Sequence, residues 1–304
     1  MQNANEILFR CSSLGHLMTE PKGKTHYFIG EQEITEKQYN AMVFDFVKSN
    51  DITALNLLKT ETKKAAKDEL SDTVITHLID VFCAEMYNRH TEINGKQLEK
   101  GNDVEEDSIT TVSLVTKKYF KKNESHLSNA YIKGTPDLFL GEKIYSAELV
   151  RDTKSSWDLY TFQRAINKPI SKMNLWQIKG YMALAGAKIG FVDYCLNNTP
   201  YHIVEGELRR ESYKHLNADT PAWIELQIIA NHVYDLETLN EYRQQRGIHH
   251  LDDNAMIVYD SFVEIPLPKR HHAFEVSHVD QDIEALYKRI EQCRNWMNKH
   301  LFKI

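Results

Sequence analysis

Gly134-Thr135-Pro136-Asp137, then fourteen residues, then Asp152-Thr153-Lys154-Ser155-Ser156-Trp157 is the stretch that decides how this chain reads. In an extended segment, side chains i and i+2 project to the same face, so Asp152 and Lys154 point together. An Asp137 at the end of a paired strand brings a second carboxylate to the same place. Two hard oxygen ligands suit Mg²⁺, which commonly takes one or two protein carboxylates and keeps several waters. A lysine beside such an ion orients or deprotonates an attacking water. The combination suits phosphodiester hydrolysis.

Two further patterns flank this stretch. Gly101-Asn102-Asp103-Val104-Glu105 lies upstream, and Gln177-Ile178-Lys179-Gly180-Tyr181 lies downstream. Together with Pro136-Asp137 and Asp152-Thr153-Lys154, in this order, they resemble the motifs of the PD-(D/E)xK nuclease superfamily. Within it the chain is most similar to the phage lambda-type, YqaJ-like viral recombinase exonucleases. The third motif position is aspartate here rather than the commoner glutamate. The likeness covers the middle third of the chain well and its ends loosely.

The resemblance implies an α/β, restriction-endonuclease-like core: a central mixed sheet flanked by helices, with helical N- and C-terminal additions. It implies one nuclease domain over 1–304, with a mainly helical part at 1–95, the catalytic core at 96–210 and a helix–strand–helix addition at 211–304. The implied activity is Mg²⁺-dependent exonuclease action, with Mn²⁺ as a substitute, running 5′→3′ on linear double-stranded DNA. The product would be 3′ single strands for phage-type recombination by a separate annealing protein. In the family's roles, Asp137, Asp152, the Thr153 carbonyl and Glu105 surround the metal. Lys154 activates or positions water, and Gln177 and Tyr181 line the site. Arg10, Ser12 and Ser13 resemble the family's arginine-and-serine entry motif, whose arginine recognises a terminal 5′-phosphate. Family members often form rings, so a homo-oligomer is an expectation too, as is a cytoplasmic location in a bacterial or phage-infected cell.

Each residue has a plainer reading beside this one. Asp137 follows a proline and suits a turn. Glu105 competes with Glu106, because successive helical residues lie about 100° apart and only one can face a given site. Gln177 and Tyr181 share a helix face at i, i+4; tyrosine there is usually core, but a buried amide needs partners. Ser155 and Ser156 offer hydroxyls to a phosphate, and Trp157 is either a stacking platform or a core plug. Arg10 could point outward from an amphipathic segment. Lys117, Lys118, Lys121 and Lys122, interleaved with Tyr119 and Phe120, read as a solvated helix end before a DNA patch. Lys269 and Arg270 are candidate DNA contacts. His249-His250 and His271-His272 lack the i, i+4 spacing of a helical metal site. The rival functions are a structure-specific or restriction-like endonuclease, and an inactive nuclease fold that only binds nucleic acid.

Composition agrees with a globular enzyme. The 304 residues are 42% hydrophobic and 26% charged, with net charge −6, which counts against a passive DNA-coating protein. No apolar run approaches the length of a membrane span, and the N-terminus has no basic and apolar secretory pattern. Cys11, Cys83, Cys195 and Cys293 are widely spaced, which points to reduced thiols rather than a zinc or iron–sulfur site. Periodicity predicts a short helix or helix-turn within 5–19, and helices from a Thr35 N-cap, over about 52–90 with a basic patch at Lys59, Lys63, Lys64 and Lys67, and at 97–121, 172–187, 222–246 and 279–301. Asn94-Gly95 reads as a turn. Strands are expected at 131–132, 138–140, 144–150, 188–196, 201–208 and 256–267.

Overall fold

The computed structural model describes residues 3–63, 69–91, 95–215 and 219–302. Lys64, Lys67 and Asn94 lie outside the described residues. Along the chain run β1 (Phe9–Arg10), α1 (Leu14–Leu17), β2 (Lys24–Ile29), β3 (Gln32–Ile34), α2 (Glu36–Lys48), α3 (Ile52–Leu55), β4 (Leu58–Lys63), α4 (Asp72–Tyr87), α5 (Lys96–Asp103) and α6 (Glu105–Thr116). Then come β5 (Lys121–Lys122), β6 (Leu127–Ser128), β7 (Ile132–Gly134), β8 (Leu138–Leu140), β9 (Leu149–Ser155), α7 (Leu159–Ile166), α8 (Lys172–Ala185) and β10 (Ile189–Cys195). The C-terminal third holds α9 (Tyr201–Ser212), α10 (Ala222–Ala230), α11 (Leu236–Gln245), α12 (Asp253–Asp260), β11 (His271–Ser277) and α13 (Asp280–His300).

The chain forms two compact units. One comprises Met1–Ala4, His16–Asn88 and Arg289–Ile304. Its antiparallel sheet has the order β3-β2-β4, and a capping box from Thr35 and Gln38 opens α2. Phe82 of α4 meets Phe302 edge to face at 5.1 Å. The region 52–90 is therefore not one helical stretch: Leu58–Lys63 is a strand with five exposed positions. Thr60 and Thr62 favour an extended backbone, and pairing with β2 overrides the helical spacing of the lysines.

The other unit, Asn5–Gly15 and Arg89–Lys288, holds a five-stranded sheet of order β11-β10-β9-β8-β5 and a three-stranded sheet of order β1-β7-β6. β9 and β10 are parallel, with Asp152 opposite Val192 and Lys154 opposite Tyr194. A parallel pair needs a long crossover, and α7 and α8 supply it. The remaining pairs of this sheet are antiparallel, so it is mixed, as expected. α6 and α8 both pack against β9 and β10. Beyond the sheet, α9 to α12 gather around buried Val204, Leu208, Leu226, Ile229 and Leu239.

Several element boundaries differ from the sequence expectation. Residues 5–19 contain β1, paired in parallel with β7, and only a four-residue α-helix. The helix expected over 97–121 breaks at Val104 (φ −105°, ψ 19°), so Glu105 opens a new helix rather than sitting inside one. Residues 144–146 form a 3₁₀ turn. Tyr201 to Leu208 is helical, not a strand: Pro200 precedes its first turn, and Ile203, Val204 and Leu208 are buried on one helical stripe. β10 pairs instead with β11. The stretch 256–267 is helical to Asp260, because Asp252 caps α12 through Ala255 N at 2.8 Å. The helical run 222–246 is cut in two, with Asp235 capping the second piece.

Candidate active site

Strand pairing brings the acidic residues together. Leu138 of β8 lies opposite Arg151 of β9, so Asp137, one residue earlier, faces Asp152. The turn before β8 is pinned by Asn123, which donates its backbone N–H to the Asp137 carbonyl at 2.9 Å and its amide to the Pro136 carbonyl at 3.0 Å. Asp137 Oδ2 then accepts from Thr153 N at 2.7 Å and Thr153 Oγ1 at 2.9 Å. One oxygen of Asp137 is thus fixed by the strand that carries Asp152, and Oδ1 is left to face the site.

Asp152 is wholly buried, at 1% exposure. Its Oδ1 accepts from Gln177 Nε2 at 3.1 Å. Its Oδ2 lies 2.8 Å from Lys154 Nζ, an ion-pair distance, yet receives no hydrogen bond of good geometry. Gln177 also donates to Tyr181 Oη at 3.0 Å, and Asn174, one turn earlier on α8, donates to Tyr194 Oη at 2.6 Å. Residues 174, 177 and 181 share one helix face, and that face looks onto β9 and β10. The buried amide of Gln177 therefore has the partners it needs.

Charge repulsion is built into this arrangement. Burial, then the neighbouring Asp152, pushes the Asp137 carboxyl up to about 7, against the pull of Thr153 and Lys154. Burial also raises Asp152, opposed by Lys154. For Lys154, burial works to discharge the ammonium, but Asp152, Asp137 and Tyr194 outweigh it and the pKa lies above the ordinary value. A wholly buried carboxylate facing a half-buried one, with a single ammonium ion-paired to Asp152, favours a further positive charge. Hard carboxylate oxygens, one of them short of a hydrogen bond, fit a divalent metal ion.

Glu105 stands slightly apart. It opens α6 and its carboxylate lies 3.5 Å from Lys122 Nζ, which also pairs with Glu106. Lys122 lies opposite Leu138, the residue after Asp137, in the β5–β8 pairing. Among the described residues, the carboxylates of Glu105, Asp137 and Asp152 do not close to a single cluster within 4.8 Å; Glu99, Asp103 and His202 do, at an exposed position. Lys122 is thus an ion-pair partner, not part of a free basic patch. Arg270 is likewise engaged, by Asp235 at 3.1 Å and the carbonyls of Tyr234 and Ile265. Arg270 therefore ties chain segments together.

Next to the acidic pair lies a cavity of about 550 Å³, lined by Arg10, Cys11, Ser12, His126, Lys133, Thr135 and Tyr181 among others. Arg10 stands beside Lys133 in the β1–β7 register. Ser13 turns back to donate to the Arg10 carbonyl at 3.0 Å and does not line this cavity. Thr135 Oγ1 and His126 Nδ1 are 2.7 Å apart. Lys133, Thr135 and His126 were not singled out in the sequence. Thr135 was the most findable, sitting two residues before Asp137. Arg10 and Lys133 are 123 positions apart in sequence, and only the parallel β1–β7 pair unites them.

Ser155 lies at the end of β9, its Oγ buried without a hydrogen-bond partner. Ser156 is buried and holds the strand end through its N–H to the Cys195 carbonyl at 2.8 Å. Trp157 is half-buried against His232. His271 lies 2.7 Å from Asp193 Oδ1 through its Nε2. All four cysteines are free. Among the described residues, no helix is long and apolar enough to cross a membrane.

No protein-family model matches the chain, and no curated protein sequence matches it. Solved structures do. A phage-related exonuclease from Haemophilus somnus 129PT superposes with a TM-score of 0.58 at 17% identity, over 97% of this chain and 95% of that one. The alkaline exonuclease LHK-Exo from Laribacter hongkongensis gives 0.49 at 10% identity, over 98% and 93%. The same exonuclease in complex with dAMP gives 0.48 at 10% identity, over 99% and 93%. The class of fold is accordingly the mixed α/β nuclease fold of the phage exonucleases. The mixed α/β fold expected from the four sequence motifs, a central mixed sheet flanked by helices, is the one this chain adopts.

Proposed function

We propose that this chain is a metal-dependent deoxyribonuclease of the phage lambda-type, YqaJ-like group. It would digest linear duplex DNA 5′→3′ and leave 3′ single strands for recombination. The observation that carries the reading is the facing Asp137–Asp152 pair, with Lys154 ion-paired to Asp152, held by Thr153 and Gln177 and opening beside a cavity that contains Arg10.

Asp137 Oδ1 and Asp152 Oδ2 would hold a divalent cation, Mg²⁺ with Mn²⁺ as a substitute, with the Thr153 carbonyl and Glu105 as outer contributors. When bound, such an ion polarises the phosphate and acidifies a water. The chain's own residues do the rest. Lys154, kept as an ammonium, orients the attacking water and stabilises charge gathering on the phosphate oxygens. Gln177 fixes Asp152, and Tyr181 fixes Gln177. Ser155 offers its unpartnered hydroxyl to the substrate backbone, and Ser156 keeps the strand end in place. In the adjoining cavity Arg10 and Ser12 would grip a terminal phosphate by charge-assisted hydrogen bonds, with Ser13 holding the Arg10 backbone. Linear duplex ends, an annealing protein and further copies of the chain are the proposed partners, in the cytoplasm of a bacterial or phage-infected cell.

The test is time-resolved digestion of end-labelled linear duplex, with Mg²⁺ and with chelator, on 5′-phosphate and 5′-hydroxyl ends at one salt concentration. The phosphorylated end is expected to be digested about tenfold faster or more, since a charge-assisted contact contributes roughly 1.5–3 kcal/mol. Arg10→Ala is expected to remove most of that difference while metal-dependent hydrolysis persists. Cleavage of closed circular DNA at the same rate would convert the reading to an endonuclease. No cleavage with either metal would leave only a binding module.

A further inference from the structure

A second cavity, of about 350 Å³, is lined by Lys96, Gln97, Trp157, Glu207, Arg210 and His232. Trp157 lies three residues beyond Lys154, so its Cα is at most about 11 Å from that of Lys154. None of the residues lining the cavity takes part in holding Asp137 or Asp152.

Its aromatic wall is fixed from within. Lys100, 1% exposed, donates to the Trp157 carbonyl at 2.9 Å. The Trp157 indole meets His232 edge to face, 5.2 Å between centroids at 76°. His232 is itself buried, and its carbonyl accepts from Thr199 N at 2.9 Å. Burial, then the charge of Lys100, pushes the His232 pKa down to about 4, so at neutral pH it is an uncharged ring that braces the indole. A core plug would be closed off on every side. Trp157 is braced on one side and remains partly exposed at the cavity.

The polar wall carries surplus positive charge. Lys96 Nζ is 2.8 Å from Glu207 Oε1, and Arg210 Nη1 is 3.2 Å from Glu207 Oε2. Two cations share one carboxylate, which leaves a net charge of one positive beside a braced indole. Stacking surfaces combined with backbone-tracking cations are the chemistry by which proteins hold single-stranded nucleic acid. The volume falls at the lower end of small-ligand sites. It suits one base and its sugar, not a duplex.

We propose that this cavity binds one nucleotide of single-stranded DNA, its base against Trp157 and its phosphate against Lys96 and Arg210. The inference rests on the nuclease reading and extends it: the strand in this cavity continues the strand at the acidic pair, a few units away.

The full chain would be titrated, in chelator, with dye-labelled single-stranded oligothymidylate and separately with thymidine 5′-monophosphate. Wild-type protein is expected to bind the oligonucleotide. Trp157→Leu, which keeps an apolar side chain but no ring, is expected to weaken binding about tenfold or more, and Trp157→Phe to restore most of it. Lys96→Gln is expected to weaken binding and flatten its salt slope by about 0.7. Circular dichroism and thermal melting of each variant separate misfolding from loss of contact. Oligonucleotide binding that is equal in wild type and Trp157→Leu overturns the proposal, as does a wild-type protein that cleaves duplex but binds no oligonucleotide. Trp157-dependent binding of the mononucleotide alone overturns the strand assignment in favour of released product. A wild-type protein that neither cleaves duplex nor binds DNA removes the nuclease reading itself.

Discussion

At the residue scale, the two partners of the Asp152–Lys154 pair are not equivalent. Asp152 is fully buried and touches Gln177 as well as Lys154, so Asp152→Asn would delete the charge proposed to hold the metal. Lys154 is partly exposed at its end, and its loss removes an ammonium that competes with a cation. Lys154→Met is expected to lower the cleavage rate by roughly 10²–10⁴, the usual size of a positioned proton-transfer or water-orienting group, while divalent-cation binding is kept. Asp152→Asn is expected to lose both. Calorimetric cation titration and labelled-duplex cleavage read the two effects separately. Cation binding lost in both variants, or cleavage kept in either, would contradict these roles.

At the scale of elements, two helices decide how the site is built. α6 begins with Glu105, Glu106 and Asp107, three acids in the first turn, where the helix dipole favours negative charge. Glu106 is 70% exposed and Glu105 43%, and both reach Lys122. Glu105→Gln is expected to slow cleavage much more than Glu106→Gln across a Mg²⁺ titration; the opposite ranking would place the second carboxylate, not the first, at the site. α8 is held close to the N-terminal segment by Gly180. A Cβ there would fall 2.7 Å from Leu14 Cδ1 and 2.9 Å from Cys11 Sγ. Gly180→Ala is therefore expected to cost about 1–3 kcal/mol and to disturb Gln177 with it. Gly101, in the upstream motif, meets nothing within 4 Å, so Gly101→Ala in α5 is expected to be stabilising by about 0.5–1 kcal/mol. Urea denaturation of the two variants checks the contrast, and equal effects would refute it.

For the whole molecule, the repulsion between Asp137 and Asp152 couples stability to pH and to cations. The Asp137 carboxyl titrates near 7 in the folded protein against an ordinary value of 3.8. Between these values the folded chain holds a proton that the unfolded chain has lost. Stability therefore falls as pH rises from about 4 to about 7, by an amount on the order of a few kcal/mol, and the deficit persists above 7. A divalent ion between the carboxylates substitutes for the proton. Its addition is expected to raise the melting temperature more at pH 8 than at pH 5. Melting curves at both pH values, with and without Mg²⁺, test this, and a gain independent of pH would show that the ion does not sit between these two acids.

The order and local spacing of the candidate site residues are legible in the amino-acid sequence alone. The i, i+2 spacing of Asp152 and Lys154 holds in any strand, and the i, i+4 spacing of Gln177 and Tyr181 holds in any helix, because both are properties of local backbone geometry. Hence α8, β10 and α13 lie close to where periodicity put them, whereas β9 starts at Leu149, five residues later than expected. Local spacing could not decide which segments pair. Tyr201–Leu208 alternates well enough for a strand, yet Pro200 and burial of a helical stripe make it α9, and β11 takes the place beside β10. Nor could it show that Arg10 meets Lys133, that Thr153 holds one oxygen of Asp137, or that Lys100 lies buried beneath Trp157. Those contacts join residues from 16 to 123 positions apart. They depend on which surfaces bury one another, a choice made by the packed chain as a whole, and only the tertiary structure decided it.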